Sequence, residues 1–558
     1  MPSHHHPSPD GSVGGAAPSA ADLRGQLGQL LMAGFDGSEP SPAILDLIEN
    51  HQLGGVILFS RNIESAEQVY HLTSALQAKA RAAGHRSPLL IAIDQENGMV
   101  QRLGEHVTLF PGNMALGASD SPELVTAVAR ATGRELQALG INMNLAPVLD
   151  INNNPANPVI GVRSFGEDPE QVARLALAAV RGYRQAGIIS CLKHFPGHGD
   201  TATDSHLALP LIPHDLARLE RLELVPFSRV LQEEGADCIM TAHIAFPALT
   251  ADPQLPATVA SPIISGLLRQ RLGFDGVAMS DCLEMEATAA TLGIEQATVR
   301  AIEAGLDLIL ISHRYDRQLA GLAAMRSALD EGRLSPARLH QALTRLRRLK
   351  ARYLSWERLP RPEGLRLLKQ AEHLALQRQS YAQAITLLRN DAGLLPLRLT
   401  PEQQLLIVLP QKEGASRVED QRYPVEALVA AVRSHHPKTV AQLLSLPLSE
   451  STRQSLRQAV AQAQLVLLVT VNAYLDHAQS DYINWLVAEA PCPVVALAVY
   501  NPYDLLACPQ LTTYLLTYEY TRPAIEAAVA VLFGDAHPQG RLPVSLPSLH
   551  ARGEGLSC

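Results

Sequence analysis

Lys193 to His206 reads KHFPGHGDTATDSH, placing one lysine, three histidines and two aspartates around a Pro-Gly turn. Two chemistries suit that set. His194 and His198 stand at the i, i+4 spacing of zinc-binding helices, but Pro196 and Gly197 lie between them and no HExxH occurs in the chain, so a metal hydrolase is the weaker reading. The other is proton transfer. Asp204 and His206 are one residue apart, which in an extended loop puts both side chains on one side. A carboxylate so placed can hold an imidazole in one tautomer and keep it protonated. His198 serves equally well as a loop-packing group bonded to backbone carbonyls. A further carboxylate, Asp281 in GVAMSDCLEMEA, ends an apolar strand-like run. There it suits either a glycosidase nucleophile or a helix N-cap. Glu284 and Glu286 lie farther into the following segment and are read as solvated or helix N-terminal acids.

These groups need a scaffold that brings them together. Eight apolar runs, at 31–35, 55–60, 89–94, 143–148, 189–195, 238–243, 276–281 and 306–312, alternate with helical patterns such as 122–140 and 169–187, each ending at Gly. That alternation predicts an α/β fold whose N-terminal part is a TIM-type (β/α)8 barrel. Polar residues gather at the downstream strand ends: Asp94, Asp150, Lys193, His194, His243 and Asp281. In such a barrel those ends meet at the active-site face. Asp150 alone is read as an Asx turn or helix cap. Past a basic helix that stops at prolines, runs at 404–410, 464–472, 493–501 and 512–519 predict a smaller α/β domain with no GxGxxG or Walker pattern. The expected boundaries are a flexible N-terminal arm at 1–21, a barrel domain at 22–354, a linker at 355–385 and a C-terminal α/β domain at 386–558.

Composition narrows the function. With 558 residues, 47% hydrophobic and 18% charged, the chain has the make-up of a two-domain globular protein. A net charge of -9 without a basic stripe argues against nucleic acid. No apolar run is long enough for a spanning helix, and the first twenty residues lack a secretory pattern, so the expectation is no membrane association and a cytoplasmic location. The triplet His4 to His6 gets no role, and the six cysteines, without a CxxC pair, are read as free thiols.

IAIDQENGMVQRL, GVRSFGEDP, KHFPGHGDTATDSH and AMSDCLEMEA, in this order, resemble glycoside hydrolase family 3 in its β-N-acetylglucosaminidase branch. AITLLRNDAGLLPL and PQGRLPVSLP resemble the second domain of that family, so the likeness spans nearly the whole chain. It implies a retaining exo-β-N-acetylglucosaminidase that acts on cell-wall-derived or chitin-type saccharides, as in peptidoglycan turnover, through a covalent glycosyl-enzyme intermediate. By resemblance Asp281 is the nucleophile, His206 the acid/base and Asp204 its orienting partner. Asp94, Arg102, Arg163, Lys193 and His194 bind the sugar. Neither a cofactor nor a metal is implied, and the partner is a small saccharide. The family's Asp-x-Glu-Gly-Gly-Arg-Val stands here as Asp94-Gln-Glu-Asn-Gly-Met-Val, so Asn97 replaces a glycine and Met99 an arginine. Glu519 occupies a strand end in the second domain, where the glucosidase branch supplies an acid. The alternatives are a β-glucosidase or glycoside phosphorylase of the same family and, from other classes, a metal hydrolase or a non-catalytic saccharide-binding protein.

Overall fold

A computed structural model of the chain describes residues 20–204, 208–411 and 425–557. The histidine triplet, nearly all of the N-terminal arm, His206 and Cys558 lie outside the described residues. All eight predicted barrel strands form: β1 Leu31–Ala33, β2 Gly55–Leu58, β3 Leu90–Ile93, β4 Met143–Asn144, β5 Ile189–Phe195, β6 Cys238–Thr241, β7 Val277–Cys282 and β8 Leu308–Ile311. They pair in parallel and close in the order β1-β8-β7-β6-β5-β4-β3-β2. Buried on both faces, parallel strands carry continuous apolar runs, which is why Leu90–Ile93 and Leu308–Ile311 show no alternation. Of the polar ends of the predicted runs, Asp94, Asp150 and His243 lie past their strands, whereas Lys193, His194 and Asp281 are among the last residues of theirs. The helices Pro122–Ala138 and Pro169–Gln185 fall where their period predicts, each with a serine or aspartate side chain capping its first turn. Gly140 and Gly187 follow them with positive φ.

The second sheet holds six strands: β9 Thr386–Asn390, β10 Leu405–Pro410, β11 Thr439–Leu444, β12 Leu465–Thr470, β13 Val494–Ala498 and β14 Thr513–Leu516. Their order is β9-β14-β13-β12-β10-β11, with β9 antiparallel to β14 and the other pairs parallel. Two of these strands are additions to the predicted four, and both lie at sheet edges.

Two apolar cores result. The first fills and surrounds the barrel, and the second packs the C-terminal sheet against its helices. Met99, Met114 and Val162 come from the barrel side yet belong to the second core, forming an apolar seam between the sheets. Polar contacts flank it: Asn152 Nδ2 donates to the Tyr503 hydroxyl at 2.8 Å, and the Glu167 carboxylate accepts from the Ser545 backbone N–H at 2.8 Å. Among the described residues no helix is long and apolar enough to cross a membrane.

Candidate active site

Asp94, Arg102, Arg163, Lys193, His194 and Asp281 line a single cavity of about 120 Å3 at the mouth of the barrel. They arrive from separate elements: Asp94 just after β3, Lys193 and His194 within β5, Asp281 within β7, and Arg163 at the end of the 3-10 turn Gly161–Arg163. Strand ends fix four of them, and the short loops between close the ring.

The floor of the cavity is a charge network that position along the strands does not reveal. Its centre is Glu96, 5% exposed, in a short antiparallel ribbon that follows β3. Arg163 grips it with two parallel bonds, Nε to Oε2 at 2.9 Å and Nη2 to Oε1 at 2.8 Å. Lys193 Nζ lies 2.6 Å from Glu96 Oε1 and 2.6 Å from Asp94 Oδ1. Burial alone would raise the Glu96 carboxyl, but Arg163 and Lys193 overcome it and hold the group well below the usual carboxylate range. Burial would lower Lys193, and Asp94 with Glu96 keeps it raised and charged. Two cations and two anions therefore balance in a nearly dry setting, the condition under which buried charge is tolerated. Arg102 approaches the other Asp94 oxygen at 3.6 Å. An ionised carboxylate has about four acceptor sites. Asp94 therefore keeps capacity to accept hydroxyl protons from a bound molecule.

His194 and His198 are organised by Asp150, which caps no helix. Asp150 Oδ2 sits 2.6 Å from His194 Nδ1, while Oδ1 accepts from the backbone N–H groups of His194 at 3.2 Å and His198 at 2.7 Å. With Nδ1 donating to the carboxylate, His194 Nε2 is turned toward Arg163 Nη2, 3.5 Å away. His198 Nδ1 pairs with Thr201 Oγ1 at 3.0 Å, and burial together with the neighbouring His194 pushes its pKa down to about 4. His198 thus lines the cavity as a neutral ring. The two rings meet edge to face at 5.7 Å.

Asp281 is half-buried, and one of its carboxylate oxygens accepts the Cys282 backbone N–H at 2.7 Å. Behind it His243, fully buried, bridges Thr258 Oγ1 at 2.8 Å and the Cys282 carbonyl at 2.9 Å. His243 is therefore a brace for the strand that carries Asp281. Asp204 is half-buried on its loop and is not among the residues lining the cavity, and His206 lies outside the described residues.

The departures at 97 and 99 have local explanations. Asn97 adopts φ of +70°, the left-handed region that asparagine enters more readily than most residues, and its Nδ2 donates to Thr132 Oγ1 at 3.1 Å. Met99 is buried in the C-terminal core and does not line the cavity. Its side chain joins the apolar seam. Glu519, raised above as a strand-end acid, is 1% exposed and belongs to the interdomain seam, outside the cavity lining. Its carboxylate accepts from the Gly112 backbone N–H at 2.8 Å, the Tyr381 hydroxyl at 2.7 Å and the Thr521 hydroxyl at 2.7 Å.

Residues 22–349 match the model of the glycosyl hydrolase family 3 N-terminal domain, and residues 385–553 match that of its C-terminal domain. The chain belongs to glycoside hydrolase family 3. It is 36% identical over 453 residues to a β-hexosaminidase A of Pseudoalteromonas piscicida, covering 73% of this chain and 74% of that one. It is 31% identical over 546 residues, 93% of each chain, to a β-N-acetylglucosaminidase/β-glucosidase of Cellulomonas fimi. A solved family 3 β-N-acetylglucosaminidase from Paenibacillus sp. str. FPU-7 superposes with a TM-score of 0.86 at 41% identity, covering 94% of this chain and 99% of that structure.

Proposed function

We propose that this glycoside hydrolase is a retaining exo-β-N-acetylglucosaminidase that releases terminal β-linked N-acetylglucosamine from cell-wall-derived or chitin-type saccharides. The observation that carries the reading is one strand-end carboxylate, Asp281, facing a cavity whose floor is the balanced Asp94–Lys193–Glu96–Arg163 network. A neutral pyranose with several hydroxyls fits such a floor, because carboxylates accept its O–H groups while arginine and lysine donate to its oxygens. The names carried by the full-length relatives agree with it.

In this mechanism Asp281 attacks the anomeric carbon while His206 gives a proton to the departing oxygen. A covalent glycosyl-aspartate results. His206, now neutral, takes a proton from water as that water attacks the same carbon and frees Asp281. Asp204 keeps the imidazole in the required tautomer and stabilises its charged form. Asp94, Arg102, Arg163, Lys193 and His194 hold the terminal sugar, and Glu96 positions Arg163 and Lys193. The domain limits suggested above, with a linker at 355–385, and a cytoplasmic role in peptidoglycan turnover belong to the same proposal.

Matched aryl β-N-acetylglucosaminide and β-glucoside substrates test it, with wild type and His206→Ala assayed in the presence of chelator. Turnover confined to the N-acetyl substrate, lost in the variant and indifferent to chelator, is the expected result. Preference for the glucoside would move the assignment to β-glucosidase, the second activity in the name of the Cellulomonas fimi relative. Stimulation by phosphate would move it to a phosphorylase, and loss on chelation to a metal hydrolase.

A further inference from the structure

One wall of the cavity carries a donor set that the mechanism above does not use. Cys282, Glu284 and His313 offer a sulfur, a carboxylate oxygen and an imidazole nitrogen, all within 4.8 Å of one another. Cys282 immediately follows Asp281, and both Cys282 and His313 line the cavity. We propose that these three residues form an inhibitory site for a thiophilic divalent cation of the Zn2+ or Cd2+ type, beside Asp281.

Three features support the assignment. First, the donors are held from behind. Glu284 accepts the backbone N–H groups of His313 at 2.6 Å and Arg314 at 3.1 Å, and the His313 ring lies 5.4 Å from that of Phe59. Second, the mixture of thiolate, imidazole and carboxylate is one that zinc and cadmium prefer over magnesium or calcium. Third, three protein ligands leave a fourth position open, and two of the three, Cys282 and His313, line the cavity. Bond lengths of about 2.0–2.3 Å place tetrahedral ligands roughly 3.5 Å apart, so closure requires side-chain shifts of about 1 Å. The Cys282 Sγ to Glu284 Oε2 distance is already 3.9 Å. Arg61 and Arg317 flank the group and oppose a cation, while Asp36, paired with Arg61 at 2.7 Å, offsets part of that charge. A second cluster, Asp200, His214 and Glu223, is less suited to a thiophilic ion, since it offers no sulfur and none of its members lines the cavity.

Loading breaks the Cys282 S–H bond: the sulfur electron pair goes to the metal and the proton to buffer. No redox change is involved. The bound ion occupies the wall next to Asp281 and excludes the sugar, so inhibition is competitive. It also differs from metal catalysis in sign, because chelation restores activity.

The test is titration of the full chain with CdCl2, following the ultraviolet thiolate-to-cadmium charge-transfer band alongside KM for an aryl glycoside. One equivalent should develop the band and raise the apparent KM at least tenfold with kcat unchanged, and EDTA should reverse both. Cys282→Ala should abolish the band and the inhibition, and His313→Gln should weaken cadmium affinity at least tenfold. If Cys282→Ala does not fold, His313→Gln decides by that loss of affinity. An unchanged KM as the band grows, or equal inhibition of both variants and wild type, overturns the site. The band does not depend on which glycoside the enzyme cleaves, so failure here and failure of the functional assignment are separate results.

Discussion

Glu96 at the barrel mouth and Glu519 at the interdomain seam are both buried glutamates, yet their surroundings treat the negative charge in opposite ways. Glu96 meets two cations and is driven to ionise. Glu519 meets three neutral donors, and burial outweighs their bonds and raises its pKa. Charge in the first region is balanced around a cavity open to a ligand. In the second it is disfavoured by burial and eased by three donors, and the carboxyl joins one domain to the other. A buried glutamate is thus favoured or disfavoured as an anion according to what faces it, and its place in the sequence does not distinguish the two.

The largest effect expected is at Asp281. Asp281→Asn should lower kcat by roughly 10^4-fold, the scale seen when one member of a covalent catalytic unit is removed. Thermal unfolding should stay near that of wild type, because the half-buried carboxylate bonds the backbone N–H of Cys282. Loss of fold along with activity would remove the contrast between a working and a structural acid.

Next comes Glu96→Gln, which leaves Lys193 and Arg163 with one anion, Asp94, between them. Breaking a buried ion pair in this way costs about 3 kcal/mol or more. Denaturant unfolding should show that loss, together with a raised KM as the two cations relax. A variant as stable as wild type would mean that Glu96 is no more tightly held than Glu519.

His198 sharpens the comparison through pH. Its pKa is near 4 in the folded chain. In the unfolded chain it is about 6.5. Between those values the folded state binds fewer protons, so stability is full above about pH 6.5 and falls as pH drops toward 4. The group contributes up to about 3 kcal/mol to that acid loss. His198→Asn should flatten this limb of a stability profile measured by chemical denaturation, and an unchanged limb would contradict the neutral wall assigned to His198.

The smallest effect should come from Glu519→Gln. The amide oxygen can still accept from Gly112, and the Tyr381 and Thr521 hydroxyls can turn to accept from the amide nitrogen. Stability should change by no more than about 1 kcal/mol, with kcat/KM little altered. Removal of a general acid would instead lower activity by about 10²–10⁴-fold, visible in the same aryl glycoside assay.

The barrel was legible because its parallel strands, covered on both faces, need unbroken apolar runs. The edges were harder. In Thr439–Leu444 most side chains between the two buried ends face solvent, so the stretch lacks such a run, and Thr386–Asn390 follows directly on the helix Ala371–Ala384 and merges with the linker pattern. The same logic governs the site. Asp94, Lys193, His194 and Asp281 stand out where apolar strands end, whereas Glu96 lies in a ribbon of polar residues and owes its place to arginine 67 positions away. Asp150 was visible but misread: its partners, His194 and His198, are 44 and 48 residues distant, and no helix follows it. Met99 is explained by a partner surface in another domain, which local sequence does not show.

The central claim is that Asp281 forms the covalent glycosyl intermediate. A fluorinated N-acetylglucosaminyl substrate that reacts quickly but hydrolyses slowly would trap it, and proteolysis with mass spectrometry would locate the sugar. The account predicts one glycosyl unit per chain on the peptide that contains Asp281. A label on any other carboxylate, Glu519 included, or turnover by this substrate with no covalent species at any time, would contradict it.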